Sequence, residues 1–191
     1  MSDSSEARER VLQAAAALFR DRGYLSVTMN DIAAVLNVRK ASLYYHAPQG
    51  KDQLYTEVMM RMLAEIGDGV RSALAAAKPD LRSQLTAIAL FHVTHLPFDT
   101  SRLFRTDIRA LPPEYAYEVL MAGNAAIFEP VTTLIEAAQT RGEIREVDAH
   151  MVAVTFIVSV QSLHEESEYK HKPIEGLADQ LVRLYMDGLR A

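Results

Sequence analysis

The sequence predicts an all-α protein of about nine helices, a three-helix head over 1–50 and a six-helix body over 51–191, and three observations carry that prediction. Apolar residues recur every three or four positions along each long segment, the spacing of one helix face. The two-residue alternation of strands is missing. Prolines and glycines mark the breaks between periodic stretches, where helices stop.

The first helix is expected from about Ser5 to Arg22, with Val11, Leu12, Ala15, Leu18 and Phe19 inside and Gly23 as the residue that stops it. Thr28 opens the second, because Asp31 three residues on completes a capping-box pair. Ile32, Ala33 and Leu36 form its buried side. Asn37 tolerates a left-handed turn, after which "RKASLYYH" makes a short third helix ended by Pro48 and Gly50. From Lys51, "KDQLYTEVMMRMLAEIGDGVRSALAAA" stays helical for 27 residues, roughly 40 Å at 1.5 Å per residue. Pro79 and Asp80 break it and open "DLRSQLTAIALFHVTHL", which Pro97 ends. A short helix is expected around Ser101 to Ala110. A long one follows through "PPEYAYEVLMAGNAAIFEPVTTLIEAAQTRG", bent near Pro130 and stopped at Gly142. The last two run from about Asp148 to Ser167 and from Ile174 to Leu189, joined by the charged connector "HEESEYKHK".

Composition narrows the function classes. With 191 residues, 49% of them hydrophobic, the chain can bury a real core. The absence of cysteine excludes disulfides, thiolate metal sites and cysteine nucleophiles, and it suits a reducing compartment. The opening "MSDSSEARER" lacks an apolar export region. The longest strongly apolar run, "MVAVTFIVSV", is about half of the roughly 20 residues a spanning helix needs. A soluble cytoplasmic protein with no membrane partner is the expectation. Glycine-rich phosphate loops and a nucleophile elbow are absent and the carboxylates are scattered, so neither an enzyme nor a cofactor is expected.

Charge is unevenly placed. Residues 1–55 hold seven Lys/Arg against six Asp/Glu, a local net of +1, whereas the remainder holds thirteen against nineteen, a local net of −6. The N-terminal quarter is the part that a polyanion does not repel.

Helix, tight turn, short helix is the helix-turn-helix arrangement, whose second helix enters the major groove of DNA. The free amides at Thr28 suit a phosphate oxygen, since a helix N-terminus favours anions. Leu43 is the apolar anchor of the third helix, which turns Lys40, Ala41, Ser42, Tyr44 and Tyr45 outward. A tyrosine reaches phosphates or base edges with its hydroxyl and offers its ring to thymine methyls. The bland alternative makes Tyr44 and Tyr45 half-buried packers beside a solvated Arg39 and Lys40. Adjacent residues on a helix point about 100° apart, so that alternative leaves one large ring exposed without purpose.

Residues 8–55, through "RERVLQAAAALFRDRGYLSVTMNDIAAVLNV" and "KASLYYH…GKDQL", resemble the DNA-binding head of the TetR family of transcriptional regulators. The resemblance implies phosphate contacts from Thr28, Tyr45, His46 and Lys51, and contacts at or near bases from Arg39, Lys40, Ala41, Ser42 and Tyr44. Two departures stand out. "HAPQGK" is one residue longer than the family's aromatic-Pro-Ser-Lys run, with Ala47 in place of the aromatic, and Arg39 replaces the usual small serine.

The resemblance also implies a ligand pocket among the middle helices whose occupation lowers DNA affinity. Met59, Met62, Phe91, His95, Phe104, Tyr117, Met121 and Phe128 are candidate walls, and methionine adapts to varied shapes. Plain core is the alternative for each. His92 and His95 form an H-x-x-H with no third ligand of matching type, so no metal is expected. Arg105, Asp107 and Arg109 either orient a polar ligand group or form a solvated face.

"AHMVAVTFIVSVQSL" is apolar on nearly all sides and must be buried on nearly all sides. Val152, Phe156 and Val160 there, with Leu177, Leu181 and Leu184 of the last helix, are the expected homodimer interface, with the central helix of a monomer core as the alternative. Two heads one DNA turn apart, roughly 34 Å, would read a near-palindrome.

The functional expectation is a ligand-responsive transcriptional regulator, a repressor that binds a palindromic operator as a homodimer and is released by a small, largely apolar effector. A 1–50 DNA-binding domain and a 51–191 ligand-binding and dimerisation domain follow from it. Two rival readings are a ligand-independent architectural DNA-binding protein and a helical hydrophobe carrier with a vestigial head.

Overall fold

The computed structural model describes residues 3–95, 106–163, 167, 171 and 173–190. Every regular element among them is helical. The first, α1 (Asp3–Ser26), bends where it was expected to stop: Gly23 takes φ 76° and ψ 165°, and a last turn reaches Ser26. Next, α2 (Met29–Leu36) starts at a complete capping box. The Asp31 amide donates to Thr28 Oγ1 at 3.3 Å, and the Thr28 amide donates to Asp31 Oδ2 at 2.8 Å. Asn37 closes it in the left-handed region at φ 53° and ψ 44°. The short α3 (Lys40–His46) buries one residue, Leu43, completely. The long α4 (Lys51–Ala76) follows, then α5 (Leu81–His95), whose first turn is capped by Asp80 accepting from the Ser83 amide at 2.9 Å.

Of the expected helix at 101–110, residues 101–105 lie outside the described residues, and Ile108–Ala110 form a 3₁₀ turn. The long bent helix is α6 (Pro113–Gly123) and α7 (Glu129–Thr140), joined by a π-helical turn over Asn124–Phe128. Pro130 explains the join. It has no N–H to give and its ring collides with the carbonyl four residues back, so the turn before it widens. Asp148 caps α8 (Ala149–Gln161) by accepting from the Met151 amide at 2.9 Å, and α9 (Ile174–Leu189) ends the series. Arg145 ties off α9: its amide donates to the Leu189 carbonyl at 3.0 Å and its Nε to the Gly188 carbonyl at 3.1 Å.

The chain gathers into two compact units, drawn differently from a cut at residue 50. One holds Met1–Leu63 with Phe98–Ala122, the other Ala64–Pro97 with Gly123–Ala191. The first unit is centred on an aromatic cluster in which Phe19 and Tyr24 each meet Tyr55 edge-on, ring centroids 5.0 Å apart. Ion pairs join α1 to α4. Arg8 grips Glu57 with Nη1 and Nη2, each at 2.6 Å, and Arg61 reaches Glu9 at 2.6 Å. In the second unit α8 packs on α5, α7 and α9, with Phe156 buried and edge-on to Tyr185 at 5.2 Å. Gly69 lets the Phe91 ring lie on the α4 backbone, for a β-carbon there would stand 2.2 Å from it.

Candidate nucleic-acid interface

Leu43 is the pivot of α3. With that side chain fully buried, at 0% exposure, the opposite side of a seven-residue helix has to face solvent. Arg39, Lys40, Ala41 and Ser42 are all exposed, Tyr45 is 77% exposed and Tyr44 42%. His46 is half-buried, its ring edge-on to Tyr45 at 5.2 Å, and with Ser42 it borders a shallow cleft walled by Val11, Leu36 and Val38. Neither Arg39 nor Lys40 has an ion-pair partner among the described residues, whereas Arg8 and Arg61 of the same unit are bound to carboxylates. Uncompensated cations and amphipathic rings on one convex helix can meet a polyanion and the base edges behind it.

The two flanking residues are engaged locally. Thr28 is exposed, but its hydroxyl serves the capping box and also donates to Asp31 Oδ2 at 2.5 Å. Those Thr28 hydrogen bonds hold the Asp31 carboxyl below the usual carboxylate range, so a negative charge stands beside the α2 N-terminus. Lys51 is half-buried. Its Nζ donates to the Tyr24 carbonyl at 3.0 Å and lies 4.0 Å from the centre of the Tyr24 ring, a cation–π seat. Tyr24 in turn donates its hydroxyl to Asp52 at 2.5 Å, and burial followed by that carboxylate pushes the phenol pKa up. One of the three ammonium protons is therefore spent within the protein. Tyr24 escaped the sequence reading because its partner lies 27 residues away.

The family description "Bacterial regulatory proteins, tetR family" matches residues 11–58, from the middle of α1 into α4. Over that stretch the chain is similar to the DNA-binding head of the tetR family. An uncharacterized HTH-type transcriptional regulator of Bacillus subtilis (strain 168), YhgD, is 25% identical over 193 residues, spanning 98% of this chain and 99% of the relative. The HTH-type transcriptional activator FasR of Mycolicibacterium smegmatis is 32% identical over 132 residues, 66% of this chain and 59% of its own. A solved tetR-family regulatory protein from Rhodococcus RHA1 shares the fold, with a TM-score of 0.76 and 21% identity over 100% of this chain and 99% of that one.

The body receives the remaining sequence-predicted residues unevenly. In the first unit Met59 is buried and Met62 half-buried, while Tyr117 and Met121 stand 65% and 49% exposed on α6. Phe104 lies outside the described residues, as does Arg105. In the second unit Phe91 and Phe128 are half-buried, and an exposed His95 stacks on Phe91 at 4.7 Å. His92 turns the other way. It is 2% exposed, and neither ring nitrogen has a hydrogen-bond partner among the described residues. The H-x-x-H pair is thus split between core and solvent, and no group of three or more His, Asp or Glu side chains among the described residues could hold a metal. No helix among the described residues is long and apolar enough to cross a membrane.

Of the six residues expected at a homodimer interface, Val152, Phe156, Val160 and Leu177 are buried by the chain's own packing. They are core, because α8 directs its most apolar stripe at α5, α7 and α9. Leu181 is half-buried and Leu184 is 68% exposed. The apolar side chains that α8 leaves bare are instead Met151 at 58% and Val158 at 55%.

Proposed function

We propose that this regulator binds a near-palindromic operator as a homodimer, represses by occupying it, and is released by a small, largely apolar effector. The observation that carries the reading is the outward face of α3, where Arg39, Lys40, Tyr44 and Tyr45 stand exposed over a buried Leu43, the two cations without an ion-pair partner among the described residues. Tyr44 with Arg39, Lys40, Ala41 and Ser42 reads base edges. Tyr45, His46 and the remaining protons of Lys51 hold the flanking phosphates, and first-turn amides of α2 beyond Thr28 take the role that Thr28, its amide and hydroxyl both held by Asp31, does not have free. Seven helical residues reach few base pairs, so specificity calls for two copies about one helical turn apart. Repression needs only occupancy of the site. Effector release needs only a second spacing of the heads that the effector prefers, by a coupling of about 1–3 kcal/mol. The adaptable methionines Met59 and Met62 suit such a ligand.

The test is selection of bound duplexes from a random pool by the full chain, followed by challenge of the winning complex with a metabolite panel. A two-fold symmetric consensus released by one class of apolar metabolite is expected. Retention of an unordered pool sinks the reading.

A further inference from the structure

Between α3 and α4 lies a four-residue turn, 47–50, that carries the one residue by which this chain exceeds the family's usual run. Its backbone is closed by the Gly50 amide donating to the Ala47 carbonyl at 2.9 Å, with Gly50 at φ +79°. The Gln49 amide donates to Gln53 Oε1 at 3.1 Å, which fastens the turn to α4. Its side chain is fastened elsewhere: Gln49 Oε1 accepts from the hydroxyl of Tyr115, a half-buried residue of α6, 66 positions along the chain. On the other side of the turn the Tyr44 ring lies over Gly50, its Cε1 3.6 Å from where a β-carbon would stand. A second tie joins the same two stretches of chain, for Tyr55 donates to Asp107 Oδ2 at 3.3 Å in a buried site. The compact unit that holds the head accordingly includes the described part of Phe98–Ala122.

We propose that Tyr115 is a positioning residue for base recognition, acting through Gln49 and Gly50 on the seat of the Tyr44 ring. The proposal rests on the reading of Tyr44 as a base contact. A ring held on one side by a fixed turn offers its hydroxyl at one place, whereas a ring over a loose turn samples several and discriminates bases less. Removing the Tyr115 hydroxyl takes away a single hydrogen bond from a group that water can still reach. The loss is therefore in selectivity rather than in folding.

Tyr115→Phe, Gln49→Ala and the double variant, each as the full chain, test this against the duplex selected by the unaltered protein. The readouts are the ratio of affinities for that duplex and its single-base variants, the thermal midpoint, and the Tyr44 ring resonances in the free protein. Tyr115→Phe is expected to leave the midpoint in place, shift the Tyr44 resonances, and lower the selectivity ratio about three- to tenfold at the base pairs that Tyr44→Phe also relaxes. Gln49→Ala does the same, and the double variant loses no more than either. Unchanged Tyr44 resonances, an unchanged ratio, or additive losses overturn the proposal while leaving the regulator reading intact. If the unaltered protein selects no duplex, the regulator reading falls first and this assignment with it.

Discussion

At the scale of single residues, three polar side chains are put to different uses by their surroundings. Tyr44 is half in contact with the turn and half free, so Tyr44→Ala is expected to relax base preference more than it lowers non-specific affinity. A competition series of single-base operator variants measures this, and equal losses on all of them would make Tyr44 a packing residue. Lys51 has its ammonium on the Tyr24 ring and carbonyl. Lys51→Ala should then weaken every duplex alike, shrink the log–log salt slope by about one unit, and lower the thermal midpoint as well. A lowered midpoint with an unaltered slope would assign Lys51 to the fold alone. His92 is the third case. Burial pushes its imidazole down to about 4 from 6.5, and neither nitrogen has a hydrogen-bond partner among the described residues. The unfolded chain takes up a proton as pH falls through 6.5, while the folded chain resists until about 4. Stability present above 6.5 is therefore lost progressively down to about 4, at a slope of at most roughly 1.4 kcal/mol per pH unit, and the loss then levels off. Thermal midpoints across that range should fall more steeply in the unaltered protein than in His92→Leu, and parallel curves would remove His92 from the account.

At the scale of elements, what was legible in the sequence was what local chemistry settles. Thr28 with Asp31, Asn37 in the left-handed region and the break at Gly23 each involve residues within one turn of one another, and each is found where the pattern placed it. Leu43 as the anchor of α3 was legible too, since a short helix with one large aliphatic residue has one way to sit. The capping box yields its own prediction. Thr28→Ala should cost about 1 kcal/mol by leaving amides of the first turn of α2 unpaired, and amide exchange at Asp31 should quicken while α5 is unaffected. Equal exchange in both proteins would show the cap to be idle. Pairs far apart in the chain left no local signal. Lys51 gives no hint of Tyr24, nor Gln49 of Tyr115. The faces of α8 were illegible for another reason. A helix apolar on nearly all sides has no preferred direction in its periodicity, so the pattern could not separate Val152, Phe156 and Val160, which fill the chain's own core, from Met151 and Val158, which stay bare.

At the scale of the whole molecule, that separation decides how a second copy would pair. Val158 and Leu184 each sit next to the residues of the α8–α9 contact in which Ser159 Oγ and the Tyr185 hydroxyl lie 3.3 Å apart. Both are bare aliphatic side chains, at 55% and 68% exposure, on the two helices that this contact joins. Two-fold pairing brings the same patch from both copies together, so one altered residue is present twice in the interface. Val158→Arg would set two cations facing each other across it, and charge depletion at the centre of such a patch is what interfaces need. The variant is expected to fold with a thermal midpoint set by its own core, to sediment at half the mass of the unaltered protein, and to lose about 100-fold or more in operator affinity as one head binds without the other. Phe156→Ala supplies the contrast. That ring is fully buried within one chain, so truncation should cost roughly 3–5 kcal/mol of folding stability. A Val158→Arg protein that stays dimeric would move the interface off α8 and α9. One that becomes monomeric yet keeps full operator affinity would show that a single α3 suffices, and the need for a palindrome would go with it.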